Sequence, residues 1–142
     1  MADLYSVNYA FTVAAPPALV NNGDYGAAVR VVTDSYTTLG TEAVGDKIFV
    51  GYLAPGERFL YGVLVCGALG ASTTLQLGDA GDSSRYMAAG STATAGNKDV
   101  RALAGAGYLN DTASPIPLFL TVGGATLAAG FGIRSLLFIS RV

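Results

Sequence analysis

The chain has 142 residues, enough for one hydrophobic core, and contains no histidine, which excludes Ser-His-Asp and Cys-His catalytic schemes and histidine-containing zinc sites. Only 13% of its residues are charged, compared with about 25% in a typical soluble domain, and its net charge is −2. The eight lysines and arginines are dispersed, so we expect no nucleic-acid partner, and we expect the weakly charged surface to be buried against other subunits.

The first 22 residues are predicted to form an extended N-terminal arm. Ala14-Ala15-Pro16-Pro17 lies in its middle, and consecutive prolines favour an extended, stiff chain over a packed element. The start, Met1-Ala2-Asp3, carries an acid where a secretory signal has a basic region, so we expect the mature chain to begin near residue 1. We expect the arm to contact a neighbouring subunit, and we predict one β-sandwich domain over residues 23–142.

Glycines and prolines divide the rest of the chain into segments too short for long helices. Six segments are predicted to be strands because they are rich in β-branched and aromatic residues and are bounded by turn residues. In chain order these segments are Ala27–Thr33, Lys47–Leu53, Arg58–Cys66, Thr73–Leu77, Ile116–Val122 and Ile133–Arg141.

Ala54-Pro55-Gly56-Glu57 joins Lys47–Leu53 to Arg58–Cys66, with proline and glycine placed where a tight turn favours them. We predict that the two segments form a β-hairpin. The two-residue period of a strand divides the apolar side chains of the second segment between its two faces. The expected division is Phe59, Tyr61, Val63 and Val65 on one face, and Leu60 and Leu64 on the other. Since neither face suits water, we predict a central strand or one that faces another subunit.

Two later segments are expected to meet solvent in different ways. In Thr73–Leu77 the odd-numbered residues are expected on a buried face, and Thr74 and Gln76 on a wetter one. The segment Ala88–Gly107 is rich in small and polar residues, and we predict that it is a long surface loop.

The many short strands predict an all-β fold, an antiparallel β-sandwich that is jelly-roll-like and has about eight strands. A membrane-spanning helix is not expected. The apolar run Phe59–Ala71 is shorter than the roughly 18 residues that such a helix needs. The uncharged run Ile116–Ile133 is interrupted by Pro117 and by glycines, which suit turns. We therefore expect no membrane partner.

No residue pattern predicts a catalytic, cofactor-binding or metal site, and we expect that the protein is not an enzyme. The ten acidic residues are dispersed, and no two are placed like the carboxylate pair of a glycosidase. The glycine-rich segments 67–70 and 104–107 lack the lysine of a phosphate-binding loop and are expected to be turns. Cys66 ends an apolar run, so we predict a buried structural cysteine, which as a single cysteine forms no internal disulfide.

The segment Gly78–Ser84 combines Asp79 and Asp82 with two serines, and calcium binds such hard oxygen ligands. It lacks the spacing and the final glutamate of a helix-loop-helix calcium site, and aspartate beside glycine is typical of tight turns. We favour a turn and keep a calcium site as the alternative.

Asn110-Asp111-Thr112 matches an N-glycosylation sequon, which we expect to be incidental without a secretory signal.

Eight tyrosines are the basis of a second class of function, a binding module in which aromatic rings stack on sugars. They are spread across different predicted elements, and the chain has no tryptophan, which weakens this hypothesis. The tyrosines are Tyr5, Tyr9, Tyr25, Tyr36, Tyr52, Tyr61, Tyr86 and Tyr108.

Four stretches of the chain together resemble the sequence of a known family of proteins. They are Tyr25–Val31 followed by Tyr36; Ile48–Phe59; Leu69-Gly70 with Leu75–Asp79 and Arg85–Ala88; and Leu118–Ala125 leading into the apolar C-terminal strand. Together they resemble the small structural proteins of tailed bacteriophages that decorate or cement the head shell. In that family they would correspond to an opening strand, a hairpin, a strand with its loop, and a closing hairpin.

The resemblance implies a β-sandwich or jelly roll that binds the major capsid protein as an oligomer. We therefore expect a structural virion protein, a capsid decoration or cement protein, that binds the outer surface of the phage head and stabilises the shell by bridging major capsid protein subunits. By analogy with decoration proteins at threefold positions, we expect a homotrimer. Its expected location is the outer capsid surface of the virion, and the host cytoplasm during assembly. The alternative is a lectin-like or receptor-binding β-sandwich of a phage fibre or tail.

Overall fold

Eight β-strands and no helix are found in the computed structural model, which describes residues 28–141. This part of the chain therefore contains no helix long and apolar enough to cross a membrane. The strands in chain order are β1 Val29–Thr37, β2 Lys47–Leu53, β3 Glu57–Cys66, β4 Thr74–Gly78, β5 Met87–Ser91, β6 Gly96–Val100, β7 Ile116–Gly123 and β8 Gly132–Arg141.

The strands form two antiparallel sheets of four. The first, which we call sheet A, has the order β1-β8-β3-β6, and the second, sheet B, has the order β2-β7-β4-β5. Only β4 and β5 are consecutive in the chain and adjacent in one sheet, and every other connection crosses to the opposite sheet. Eight strands in two sheets with these crossings make a jelly roll. The predicted all-β, jelly-roll-like antiparallel sandwich is confirmed.

The core lies between the sheets, where alternate side chains of both are buried. Sheet A contributes Leu64 and Leu137, and sheet B contributes Leu75 and Leu120, all at most 1% exposed. Cys66 is also buried, as predicted. The pattern predicted for Thr73–Leu77 is confirmed as well, since its odd-numbered residues are buried and its even-numbered residues are half-buried.

The predicted β-hairpin of Lys47–Leu53 and Arg58–Cys66 is wrong, because β2 lies in sheet B and β3 in sheet A. The turn itself is present: the Glu57 amide donates to the Ala54 carbonyl at 3.0 Å, and Gly56 has φ +77°. Proline followed by glycine with positive φ makes a type II turn, whose twist splays the flanking strands instead of aligning them. The turn therefore carries the chain from one sheet to the other. The closing hairpin implied by the family resemblance is wrong for the same reason, since β7 and β8 lie in different sheets.

The predicted division of the side chains of β3 is also wrong at its start. The pairing of β3 with β8 shifts by one residue between Phe59 and Tyr61, which marks a β-bulge. The extra residue, Leu60, reverses the alternation, so that Phe59 joins Leu64 in the core while Tyr61 points outward. A bulge changes the face of every residue beyond it, and sequence periodicity alone does not reveal one.

The predicted surface loop Ala88–Gly107 contains two short strands, so that prediction is wrong for residues 88–100. β5 pairs with β4, and β6 pairs with residues Gly62–Cys66 of β3. Small residues have low strand propensity, but pairing to an existing sheet and burial of Val100 stabilise these strands. The glycine-rich segments 67–70 and 104–107 lie in connections between strands, as predicted.

The other predicted strands match the observed ones within one residue, except that β1 continues four residues beyond Thr33 to Thr37. The N-terminal arm, residues 1–22, lies outside the described residues. So do residues 23–27 of the predicted domain, and these include the start of the strand predicted from Ala27.

Candidate functional site

Asp79 and Asp82, the candidate calcium ligands, lie in the loop between β4 and β5. Asp79 is 3% exposed, and its carboxylate accepts hydrogen bonds from Arg85 Nε at 2.7 Å and from the Tyr86 hydroxyl at 2.9 Å. The backbone amides of Gly81 and Asp82 donate to its other oxygen at 2.9 and 3.0 Å. Burial disfavours the charged carboxylate, but these donors outweigh it and hold the pKa of Asp79 below its usual value.

The geometry of this loop favours the turn over the calcium site. Both oxygens of Asp79 are occupied by protein donors, and Asp82 accepts hydrogen bonds from the backbone and side chain of Ser84. Within residues 28–141, no three acidic or cysteine side chains are grouped as metal ligands. The carboxylates therefore shape the loop. Arg85, in the same loop, pairs with Asp79 and lies over the ring of Tyr108 at 4.3 Å, which connects this loop to the one between β6 and β7.

A second buried carboxylate, Glu57, braces the turn between β2 and β3. Arg30 of β1 forms a bidentate ion pair with Glu57, in which Nε donates to Oε1 at 2.7 Å and Nη2 donates to Oε2 at 2.6 Å. The amide of Ala54 donates to Oε2 at 2.8 Å, and burial of the carboxylate opposes the effect of the ion pair on the pKa of Glu57. The result is a lowered pKa for Glu57. Arg30 thereby joins β1, at the edge of sheet A, to the turn that connects β2 of sheet B with β3 of sheet A.

A third buried carboxylate, Glu42, holds the loop between β1 and β2 at the opposite end of the sandwich. It accepts hydrogen bonds from the Tyr36 hydroxyl at 2.6 Å and from the amides of Leu39 and Gly40 at 2.7 and 3.0 Å. Burial works against its charge, but these donors prevail and lower the pKa of Glu42 to about 2.

Sequence reasoning did not find these three clusters as units. Arg30 and Glu57 are 27 residues apart, and no local pattern connects them. The residues of the pairs Tyr36–Glu42 and Asp79–Arg85 are each six positions apart in the sequence. Neither a strand nor a tight turn brings residues at that spacing into regular contact, so the spacing predicts no interaction. All three carboxylates have lowered pKa values, whereas the general acid of a glycosidase needs a raised one. The clusters therefore stabilise the loops and the turn in which the three carboxylates lie.

Asn110, the acceptor residue of the sequon, is 0% exposed. Its side-chain nitrogen donates to the carbonyls of Leu53 and Ser114 at 2.8 and 2.9 Å, and its oxygen accepts from the Thr112 amide at 3.0 Å. Both hydrogens of the nitrogen that a glycan would modify are used within the fold. The residue thus has a structural role, in joining the loop before β7 to the end of β2.

The described tyrosines do not converge on one groove. Tyr86 is fully buried in the core, and Tyr108 packs edge-on against it at 6.0 Å. Tyr61 lies on the outer face of sheet A, Tyr52 is on an edge strand of sheet B, and Tyr36 binds Glu42. Tyr5, Tyr9 and Tyr25 lie outside the described residues. Residues 28–141 thus offer no assembled surface of stacked tyrosines.

The outer face of sheet A carries a group of exposed and half-buried apolar side chains that neighbour one another by strand register. Across the sheet, Val31 of β1 pairs with Phe138 of β8, which pairs with Tyr61 of β3. The Tyr61 and Phe138 rings stack at 4.4 Å with an angle of 9° between their planes. We call the following set the apolar patch: Val29, Val31, Tyr61, Val63, Val65, Leu136 and Phe138.

Exposure of the apolar patch is greatest at its edge: Val29 is 54% exposed and Val31 50%, while Tyr61 and Val65 are 39% and 37% exposed. Monomers seldom expose contiguous apolar surface of this kind without a partner. The two apolar faces predicted for Arg58–Cys66 are therefore confirmed, although Phe59 changes face, and β8 likewise carries apolar side chains on both faces. The patch is therefore a candidate surface for binding another protein.

Comparison with known proteins shows two solved structures of similar fold. The chain is similar to a chain in the "Cyanophage Pam1 capsid asymmetric unit", with a TM-score of 0.67 and 21% identity over 83% of this chain and 88% of that one. It is also similar to a chain in the "Capsid of Ralstonia phage GP4", with a TM-score of 0.64 and 22% identity over 81% and 85%. No protein-family model and no curated protein sequence matches the chain significantly. At this level of identity, the likeness shows a shared fold.

Proposed function

We propose that the protein is a structural component of a tailed-phage virion, a decoration or cement protein that binds the outer surface of the head. In this role it bridges major capsid protein subunits and stabilises the shell, because a protein that binds only the assembled state shifts the equilibrium toward it. It carries out no catalysis, and it acts on the virion after being made in the host cytoplasm.

The observation that carries the proposal is the agreement of the whole jelly roll with chains from two phage capsid structures, over more than 80% of this chain in both cases. The buried carboxylates add to it. Each is satisfied by donors of its own loop or of a neighbouring element, which makes a stiff scaffold and leaves no reactive group among them. A cement protein needs such a scaffold together with surfaces for its partners.

We further propose that the protein is a homo-oligomer, most simply a trimer, with a mainly apolar interface. The apolar patch supports this proposal, since a standard interface covers about 800 Å² per partner, and at about 25 cal/mol per Å² its apolar part outweighs surface ion pairs. Because few charges are available for screening, assembly should change little between low and about 1 M salt. Light scattering at both salt concentrations tests this: a monomer at micromolar concentration contradicts the interface, and a dimer contradicts only the trimer.

The experiment that tests the role uses heads purified from the phage that carries this sequence and stripped of the protein. Purified protein should sediment with the heads at a fixed ratio and raise the temperature at which they release DNA. Heads that already carry the protein are the control and should bind little more. Failure to bind stripped heads under assembly conditions contradicts the proposal.

The alternative, a lectin-like or receptor-binding sandwich of a phage fibre or tail, receives no support from the described tyrosines, which lie on different faces. A glycan array separates the two functions, since specific retention of one sugar class would favour the alternative.

A further inference from the structure

A two-sheet sandwich buries one face of each strand, and the apolar patch lies on the opposite face of sheet A. Within residues 28–141 no strand lies over the patch, although the Arg101 guanidinium lies 5.7 Å from the centroid of the Tyr61 ring. The three central rows of the patch run across β1, β8 and β3: Val31, Phe138 and Tyr61; Thr33, Leu136 and Val63; and Ser35, Arg134 and Val65. Two of the three rows contain no charged residue. The surface thus suits an extended, uncharged apolar segment.

The chain contains such a segment outside its described part. From Tyr5 to Val13, the residues alternate strictly between larger apolar side chains and small or polar ones. Tyr5, Val7, Tyr9, Phe11 and Val13 would share one face of an extended chain. The segment has nine residues and no charge, and β1, at the edge of the patch, also has nine residues.

The described chain begins beside sheet A, on the side of the strands that carry the apolar patch. The described chain begins at Ala28, whose carbonyl accepts a hydrogen bond from the Arg141 amide at 3.0 Å, so the preceding residues start beside β1 and β8. Between the segment and Ala28 lie residues 14–27, which reach up to about 45 Å when extended. That reach exceeds the roughly 14 Å width of four strands and the roughly 30 Å length of β1.

The sequence of this connection favours a neighbouring copy as the acceptor. Pro16 and Pro17 favour an extended chain around them, because a proline restricts its own φ and disfavours helical geometry at the residue before it. We expect such an extended connection to carry the segment past the sheet from which it starts.

We propose that Tyr5–Val13 of one copy binds the apolar patch of a neighbouring copy, with its alternating apolar side chains against Val31, Phe138 and Tyr61. This inference rests on the proposed homo-oligomer, and it names the contact that holds the oligomer together. The segment has no charge, and few charges lie near the centre of the patch, with Arg101 beside Tyr61 and Asp99 beside Val63, so we expect the contact to depend little on salt.

The first test uses matched substitutions on the two faces of the segment. Phe11→Asp places a charge on the face that would contact the patch, and Ala10→Asp places the same charge on the opposite face. We expect Phe11→Asp to weaken assembly at least tenfold by light scattering, and Ala10→Asp to leave it within about twofold. Equal behaviour of the two variants contradicts the inference.

The second test identifies the acceptor by disulfide trapping between two separately tagged proteins. Phe11→Cys in one protein and Val31→Cys in the other should form a linked heterodimer after co-refolding and mild oxidation. Leu103→Cys is the control for Val31→Cys, because Leu103 is 95% exposed and lies in the loop after β6. The buried Cys66 is common to all three proteins.

The outcomes separate this inference from the proposal on which it rests. An unsubstituted protein that is a monomer contradicts the homo-oligomer and the arm contact together. An oligomer that gives no Phe11–Val31 disulfide, or no more than the Leu103 control, contradicts the arm contact alone. A disulfide that forms only within a doubly substituted chain shows that the segment binds its own patch, and it overturns the assignment to a neighbour.

Discussion

Asp79 shows how a charged residue is kept inside this weakly charged protein. It is buried, but it pairs with Arg85 and accepts from Tyr86 and from backbone amides, so its charge is compensated. Removing one partner of a buried ion pair leaves the other charge without compensation. This lowers the folding stability more than replacing both partners with apolar residues does.

We therefore expect Asp79→Asn to lower the free energy of unfolding by about 3 kcal/mol. The asparagine keeps the size of the side chain but replaces one acceptor oxygen with a donor that faces Arg85 and Tyr86. Urea denaturation measures the loss, and Asp111→Asn, at an exposed position, is the control. Equal stability of the two variants would show that the Asp79 cluster contributes little.

Cys66 permits a second test at this scale. It is 4% exposed, and burial raises the pKa of its thiol, while Lys98 opposes the shift to a smaller degree. Alkylation requires an accessible thiolate. We expect a maleimide reagent to label the native protein slowly and the urea-unfolded protein within minutes, as followed by mass spectrometry. Rapid labelling of the native protein would place the thiol outside the core.

At the scale of elements, the connections decide which sheet each strand joins. The turn between β2 and β3 depends on Gly56, whose φ of +77° is unfavourable for other residues. A Cβ at this position would meet no atom within 4 Å, so any cost of substitution comes from the backbone conformation alone.

Gly56→Ala should lower the free energy of unfolding by about 1–2 kcal/mol, the cost of left-handed backbone for a residue with a Cβ. Gly132→Ala is the matched control, since its Cβ would also meet nothing within 4 Å, and its φ is not in the positive range. The control should change the stability by less than about 0.5 kcal/mol. Thermal denaturation compares them, and a neutral Gly56→Ala would contradict the role of the type II turn.

At the scale of the whole molecule, the three buried carboxylates brace both ends of the sandwich. The pKa of Glu42 is lowered from 4.5 to about 2, and those of Glu57 and Asp79 are also lowered. The unfolded chain therefore binds protons at a higher pH than the folded chain does. The stability that these groups contribute is present above about pH 4.5 and is lost as the pH falls toward 2.

We expect the midpoint of thermal unfolding to be nearly constant from pH 7 to 5 and to fall steeply between pH 4.5 and about 2. Glu42→Gln removes the titrating group, so its unfolding midpoint should fall less steeply over that interval, whatever its value at neutral pH. Differential scanning calorimetry at a series of pH values measures both slopes. A wild-type midpoint that is constant or rises below pH 4.5 would contradict the bracing role of the carboxylates.

Local chemistry was sufficient to predict where most strands lie, and tertiary contacts determined how they pair. Lys47–Leu53 is recognisable from its own β-branched and aromatic residues, and Pro55-Gly56 from the turn that it favours, because both depend on neighbours in sequence. The partner of each strand depends on residues far along the chain, and so β2 pairs with β7 and not with β3. The bulge at Leu60 and the ion pair of Arg30 with Glu57 likewise exist only after distant segments meet. Strand periodicity is a local property, whereas register, sheet membership and buried charge pairs are set by long-range packing.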